Sequence, residues 1–241
     1  MGASFSGPST AAPAVSVSAT SPISNICGEV GGFILNFDDI PPLAIGNEPY
    51  DSVQPMPLFN PYHQFDFSNG FTVIPPPTGP YLPSSKPLLL EYIPTVNSSN
   101  DENQQLNITQ NTLGQDISAR IGNGDKGRTG CFSFNIMGAS FGCDSTGPNC
   151  DFTFTGFRFN KSSALAIEVA CERKSIKACP SLRNCNLTPI HLRRKFRDLD
   201  YLRINLTVAG QPKIWWMDDL SLAWSNNSCA AEQCRSQTHV H

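Results

Sequence analysis

YLRINLTVAG, Tyr201 to Gly210, alternates Leu202, Ile204, Leu206 and Val208 with Tyr201, Arg203, Asn205 and Thr207 before a glycine turn. A period of two sustained this long belongs to a strand with one buried and one solvated face, because a helix would scatter the same apolar residues around its circumference. The pattern recurs on both sides of this stretch. ALAIEVAC sets Leu165, Ile167, Val169 and Cys171 against small or polar residues, and CFSFNI sets Phe132, Phe134 and Ile136 on one face. In DFTFTGFRFN the aromatic phase switches from Phe152 and Phe154 to Phe157 and Phe159 across Gly156, so a bulge at the glycine is expected to keep all four rings inward. FTVI (Phe71–Ile74), LLLEYI (Leu88–Ile93) and DISARI (Asp116–Ile121) read as weaker strands, and helix is expected only around Arg173–Ala178 and His191–Leu199.

About nine strands separated by Pro- and Gly-rich turns predict an all-β fold, an antiparallel two-sheet sandwich of jelly-roll type. The composition agrees: of 241 residues, 20 are Pro, 18 Gly and 15 Phe, and only 15% are charged. Residues 1–26, rich in Ser, Thr, Pro and Ala, read as a disordered arm, 27–228 as the sandwich, and 229–241 as a cysteine-containing tail. A net charge of -3 gives no electrostatic case for nucleic acid or an anionic membrane surface as a partner.

Nine cysteines point to an oxidising compartment; there is no CxxC pair and the four histidines are scattered, which argues against zinc. Sequons at Asn97, Asn107, Asn160, Asn186, Asn205 and Asn226 agree with secretion, and Asn205 falls on the polar face of its strand. The N-terminal stretch lacks the apolar core of a signal peptide, and no run of the sequence is long and apolar enough to span a bilayer. Gly2 to Ser6 fits a myristoylation pattern, which the cysteines and sequons oppose. Disulfides are expected between Cys143 and Cys150, which bracket the turn-rich DSTGPN, and between Cys229 and Cys234, with Cys171, Cys179 and Cys185 stapling their own segment. An odd count leaves a thiol free or paired with another chain.

Two apolar strands carry aspartate pairs. In GFILNFDDI, Phe33, Leu35, Phe37 and Asp39 share one face by strict alternation, with Asn36 and Asp38 on the other. In WWMDDLSLAW the apolar face holds Trp216, Asp218, Leu220, Leu222 and Trp224, which leaves Trp215 exposed on the opposite side near Lys213. Each pair then sends one carboxylate inward, at a cost of several kcal/mol unless it is paired or binds a cation. Hard oxygen ligands from Asp38, Asp39, Asp218 and Asp219 suit a structural Ca2+ clamping the two ends of the domain. The alternative is that each pair marks a strand end, its carboxylates accepting hydrogen bonds from turn N–H groups.

FDD near the start and MDDLSL in the closing strand resemble the calcium-bearing galactose-binding-like jelly rolls, which include many carbohydrate-binding modules. PYHQFDFSNGFTVIPPP, FGCDSTGPNCDFTFTGF and PKIWWMDDLSLAW are similar in style to uncharacterised secreted proteins of filamentous fungi. The resemblance implies a sandwich with structural calcium and carries over no catalytic residue.

Sugar rings stack on flat side chains with a polar edge, which makes Trp215, Tyr62, His63 and Tyr81 the expected ligand contacts. The expected function is non-catalytic binding of a glycan or other cell-surface component by a secreted glycoprotein. Two alternatives stand beside it. One is an extracellular polysaccharide lyase or glycoside hydrolase using carboxylates such as Glu91, Glu168, Asp198 or Asp200, or a histidine such as His63 or His191; the other is a fungal effector binding a host protein. The basic run Arg193, Arg194, Lys195 and Arg197 reads as a solvated face.

Overall fold

The structure, a computed structural model, describes residues 31–40, 54–95, 117–124, 129–160, 162–163 and 165–237. In chain order its strands are β1 (Gly32–Leu35), β2 (Met56–Pro57), β3 (Asp66–Phe67), β4 (Phe71–Ile74), β5 (Tyr81–Leu82), β6 (Leu89–Tyr92), β7 (Ala119–Gly122) and β8 (Phe134–Cys143). There follow β9 (Cys150–Asn160), β10 (Leu165–Ile176), β11 (Cys185–Asn186), β12 (Thr188–His191), β13 (Tyr201–Val208), β14 (Gln211–Pro212) and β15 (Trp215–Trp224), and then a helix, α1 (Cys229–Gln237).

Two antiparallel sheets face each other. Sheet one runs β12-β8-β15-β6-β4-β2, with β1 also pairing β15; sheet two runs β10-β9-β13-β7-β3, with β14 on β13. This is the expected sandwich. The alternation in β13 holds residue by residue: Leu202, Ile204, Leu206 and Val208 enter the core, and Tyr201, Arg203 and their alternates face out. A short parallel pair, β5 with β11, forms a flap whose Tyr81 packs with Trp216, Leu89, Cys179 and Leu187 in a second apolar cluster. Sheet one is therefore covered on both faces at β15.

That cover corrects the reading of the last strand. Trp215 is 1% exposed, its ring within 5.2 Å of Tyr92 and 5.8 Å of both Phe71 and Phe141, while Trp216 on the other face is buried against Tyr81 at 5.3 Å. Asp219, at φ 53, sits in a bulge that shifts the strand's phase between Asp218 and Ser221. Trp215, Met217, Leu220, Leu222 and Trp224 all reach the same core, a set that strict alternation cannot produce.

The expected bulge at Gly156 is absent from β9. The irregularity lies on the partner strand, between Glu168 and Ala170, so β9 keeps strict alternation. Phe152 and Phe154 enter the core, while Phe157 and Phe159 are left on the outer face of sheet two. Gly156 cannot take a side chain, since a Cβ would lie 2.9 Å from Leu199 Cδ2.

Arg173–Ala178 is not helical: β10 runs on to Ile176. His191–Leu199 is not helical either, and Lys195 crosses from it to donate to the Cys171 carbonyl. Helix forms instead in the expected tail. Ser228 caps α1, its hydroxyl accepting from Ala231 N, and Ala231, Glu232 and Arg235 are buried, which makes the helix part of the domain.

The disulfides Cys143–Cys150 and Cys179–Cys185 form. Cys234 bonds Cys131 rather than Cys229, which is itself disulfide-bonded, and Cys171 is a free, exposed thiol. The short sequence interval between Cys229 and Cys234 suggested a local loop, but the helix built over that interval brings Cys234 against the start of β8 instead.

Candidate binding groove

The aspartate pairs act as anchors of loops. Phe37, at φ 64, ends β1 and turns the chain, which places Asp38 and Asp39 in a turn. Asp38 accepts from Leu88 N at 2.9 Å, and Asp218 accepts from Ser85 N at 2.9 Å and from Asp219 N at 2.8 Å. Both pairs thus hold the same segment, Ser85 to Leu88, by its peptide N–H groups. Asp39 accepts from the Tyr62 hydroxyl at 2.6 Å and contacts His63 Nε2. It pins a two-residue hairpin turn in which His63 and Gln64 both have positive φ, 44 and 72, between the reciprocally bonded Tyr62 and Phe65.

Among the described residues no group of three or more His, Cys, Asp or Glu is placed to hold a metal ion. Burial pushes the Asp218 carboxyl up from 3.8 to about 6, against the pull of the Ser85 and Asp219 N–H groups. A folded-state value above the unfolded one means that stability from this group is fully present below about pH 4 and is lost as pH rises through 6, by at most about 3 kcal/mol. Asp218→Asn is accordingly expected to melt at or above wild type at pH 7, with the difference vanishing at pH 4 and EDTA leaving both unchanged. A calcium ligand would give the reverse: the Asp218→Asn substitution would lower the melting temperature, and EDTA would lower that of wild type.

The expected ligand contacts are mostly inaccessible. Trp215, Tyr62 and Tyr81 are 1%, 2% and 3% exposed, and the Tyr81 hydroxyl donates to the Cys143 carbonyl. His63 is exposed but held by Asp39. Burial and the Asp39 carboxylate push the Tyr62 hydroxyl well above its ordinary range, so it is a donor and not a base. The carboxylates considered for catalysis are dispersed. Glu91 lies opposite Trp216, burial raising its pKa; Asp198 pairs with Arg158 at 3.0 Å. Asp200 is buried and accepts from Asn123 Nδ2, Ser133 Oγ and Phe159 N. Asn97 and Asn107 lie outside the described residues; Asn186 and Asn226 are exposed, Asn160 and Asn205 half-buried.

A different site lies on the outer face of sheet two. Tyr201 on β13 is directly opposite Phe157 on β9, and their rings stack at 4.5 Å with planes 10° apart. Arg203 lies over the Phe157 ring at 4.8 Å and Arg120 over the Tyr201 ring at 5.9 Å. Burial raises the Tyr201 hydroxyl, with both guanidinium groups opposing the shift. Beside the stack is a groove of about 280 Å³ lined by Asp66, Ser68, Arg120, Asn123, Phe159 and Tyr201 among others.

The floor of the groove is glycine. A Cβ at Gly122 would lie 2.5 Å from Tyr201 Cβ and 2.6 Å from the Asp200 carbonyl, and one at Gly124, where φ is 55, would collide with the Asp66 carboxylate. The buried Asp200 supports the site from below by tying Asn123 to the end of β9. Sequence reasoning missed this site because it sent Phe157 and Phe159 inward. The available signal was Tyr201 and Arg203, already assigned to the solvent face of β13.

Fold and groove together define a disulfide-linked β-sandwich with an aromatic–arginine stack on one solvent face. The chain belongs to the DUF7371 family, a domain of unknown function whose model matches residues 29–235. No curated protein matches it. It is similar in structure to a DUF4465 family protein from Bacteroides caccae, with 11% identity and a TM-score of 0.42 over 84% of this chain and 96% of that one. So distant a likeness carries no argument about function.

Proposed function

We propose that the protein is an extracellular glycoprotein that binds carbohydrate without catalysis, in the groove beside Tyr201. The observation that supports this reading most is Tyr201, a ring stacked on the buried Phe157 and lining a groove with hydrogen-bonding walls. Sugars are held by such a combination: a C–H-rich ring face on an aromatic plane, with hydroxyls meeting carboxylate, amide and hydroxyl groups. Asp66, Ser68 and Asn123 supply those groups here. The disulfides support the extracellular setting. No described helix is long and apolar enough to cross a membrane. Structural Ca2+ forms no part of this reading, since the aspartates are engaged by N–H groups and the Tyr62 hydroxyl, and the melting curves in EDTA are its test.

A glycan array followed by calorimetric titration tests the reading. Binding is expected to weaken at least about tenfold in Tyr201→Ala, a loss of about 1.4 kcal/mol, with the melting temperature changed little. Absence of binding to every glycan on the array, or binding indifferent to Tyr201, would overturn it.

A further inference from the structure

Arg203 on β13 is directly opposite Arg120 on β7 in the antiparallel register. Like charges facing each other across strands are destabilising, so such a pair is ordinarily relieved by a carboxylate alongside. None is provided: among the described residues neither arginine makes an ion pair, although Arg158, Lys174, Arg193 and Lys213 all do. Both guanidinium groups lie over the stacked rings instead, Arg203 at 4.8 Å from the Phe157 centroid and Arg120 at 5.9 Å from that of Tyr201. A guanidinium held by a ring and not by a carboxylate keeps its N–H donors for a ligand, and arginine grips a planar oxyanion by two parallel hydrogen bonds.

We propose that the groove selects an acidic sugar, a hexuronate unit of a polysaccharide, with its carboxylate between Arg120 and Arg203 and its ring on Tyr201. The inference rests on the carbohydrate reading above and narrows it to a chemical class. The charge layout gives the ligand a direction. Asp66 on β3 shares the cross-strand row of Gly122 and Tyr201, the Arg120–Arg203 pair forms another row, and of the two arginines Arg120 lines the groove. The Asp66 carboxylate repels a second anion and accepts from sugar hydroxyls, so a uronate lies with its acid group toward β13 and its hydroxyls toward β3. Ser68 fixes that wall, because its hydroxyl accepts from Arg120 N at 2.9 Å while its own N–H donates to the Arg120 carbonyl. The net charge of -3 on the whole chain makes the attraction local to the pair and not a general property of the surface.

The test is calorimetric titration of the full chain with trigalacturonate and with its neutral counterpart, galactotriose, at low and high salt. The acidic trimer is expected to bind at least about tenfold tighter. The advantage should shrink at high salt, because exposed charges are screened. Arg120→Gln and Arg203→Gln should each abolish the preference, and Arg203→Lys, which keeps the charge but not the fork, should restore part of it. Melting curves of the four proteins distinguish a lost contact from a folding defect. Equal affinity for the two trimers overturns this inference and leaves the carbohydrate reading standing. Binding of the acidic trimer that is indifferent to both glutamine variants also overturns it. Binding of neither trimer, with arginine-dependent binding to phosphatidylserine vesicles, overturns this inference and assigns the pair to a lipid surface; binding to none of these probes overturns it as well, and in both cases the glycan array decides the carbohydrate reading.

Discussion

Trp215→Ala is expected to destabilise the protein by about 3–5 kcal/mol, the range for removing a fully buried large aromatic from a packed core. The ring lies among Phe71, Tyr92, Phe141 and Phe152, all within 6.0 Å between centroids, and nothing nearby is positioned to collapse into the vacated volume without losing its own packing. For a domain of this size the melting temperature should fall by roughly 10 °C. Sugar affinity, measured below that temperature, should be unchanged. The contrast with Tyr201→Ala is the informative part, since the ligand contact expected of Trp215 is the one proposed for Tyr201. A Trp215→Ala protein that melts like wild type would refute the packing described for β15.

Loss of the Cys131–Cys234 bond should have an effect of similar size. It closes a loop of 103 residues, for which chain entropy alone predicts about 4.7 kcal/mol. It also fastens α1, whose Arg235 donates to the carbonyls of Cys131 at 2.8 Å and Asn226 at 3.0 Å and lies over the Trp224 ring at 4.7 Å. Cys131→Ser/Cys234→Ser should therefore lower the melting temperature by roughly 10 °C and increase proteolysis first at α1. A double mutant of Cys143 and Cys150, which close a seven-residue separation, should lose less, because short loops constrain the unfolded chain less. Equal losses for the two bonds would contradict this account.

The sandwich was legible in the sequence because period-two alternation survives in β13 and in the phase of β4, β7 and β8. Errors arose where one residue interrupts a ladder. Asp219 on β15 and the irregularity between Glu168 and Ala170 on β10 each move a row of side chains to the other face, and neither position has the glycine that would have announced it. The groove was hidden for the opposite reason: the bulge expected at Gly156 is absent, and the strict alternation of β9 leaves Phe157 and Phe159 on the outer face. Trp216, expected on the core face, is buried on the other one because a flap made from distant residues, Tyr81–Leu82 and Cys185–Asn186, covers the outer face of sheet one, and alternation within a strand carries no information about what settles over it. The aspartates accept from main-chain N–H groups at Ser85, Leu88 and Asp219, the kind of partner the alternative reading named, and Asp39 also takes the Tyr62 hydroxyl, whose identity as a partner composition does not reveal.

The double cover of β15 bears on how this sequence can drift. Trp215, Trp216, Met217 and Asp218 are four consecutive residues, none more than 4% exposed, enclosed by the sandwich core on one side and the flap on the other. An ordinary sheet strand offers evolution a neutral position at every second residue; here that freedom is absent for four in a row. Substitutions tolerated in this stretch must be compensated in two separate clusters at once, so among members of the family it should diverge slowest, while the outward positions of sheet two keep the ordinary freedom of an uncovered face.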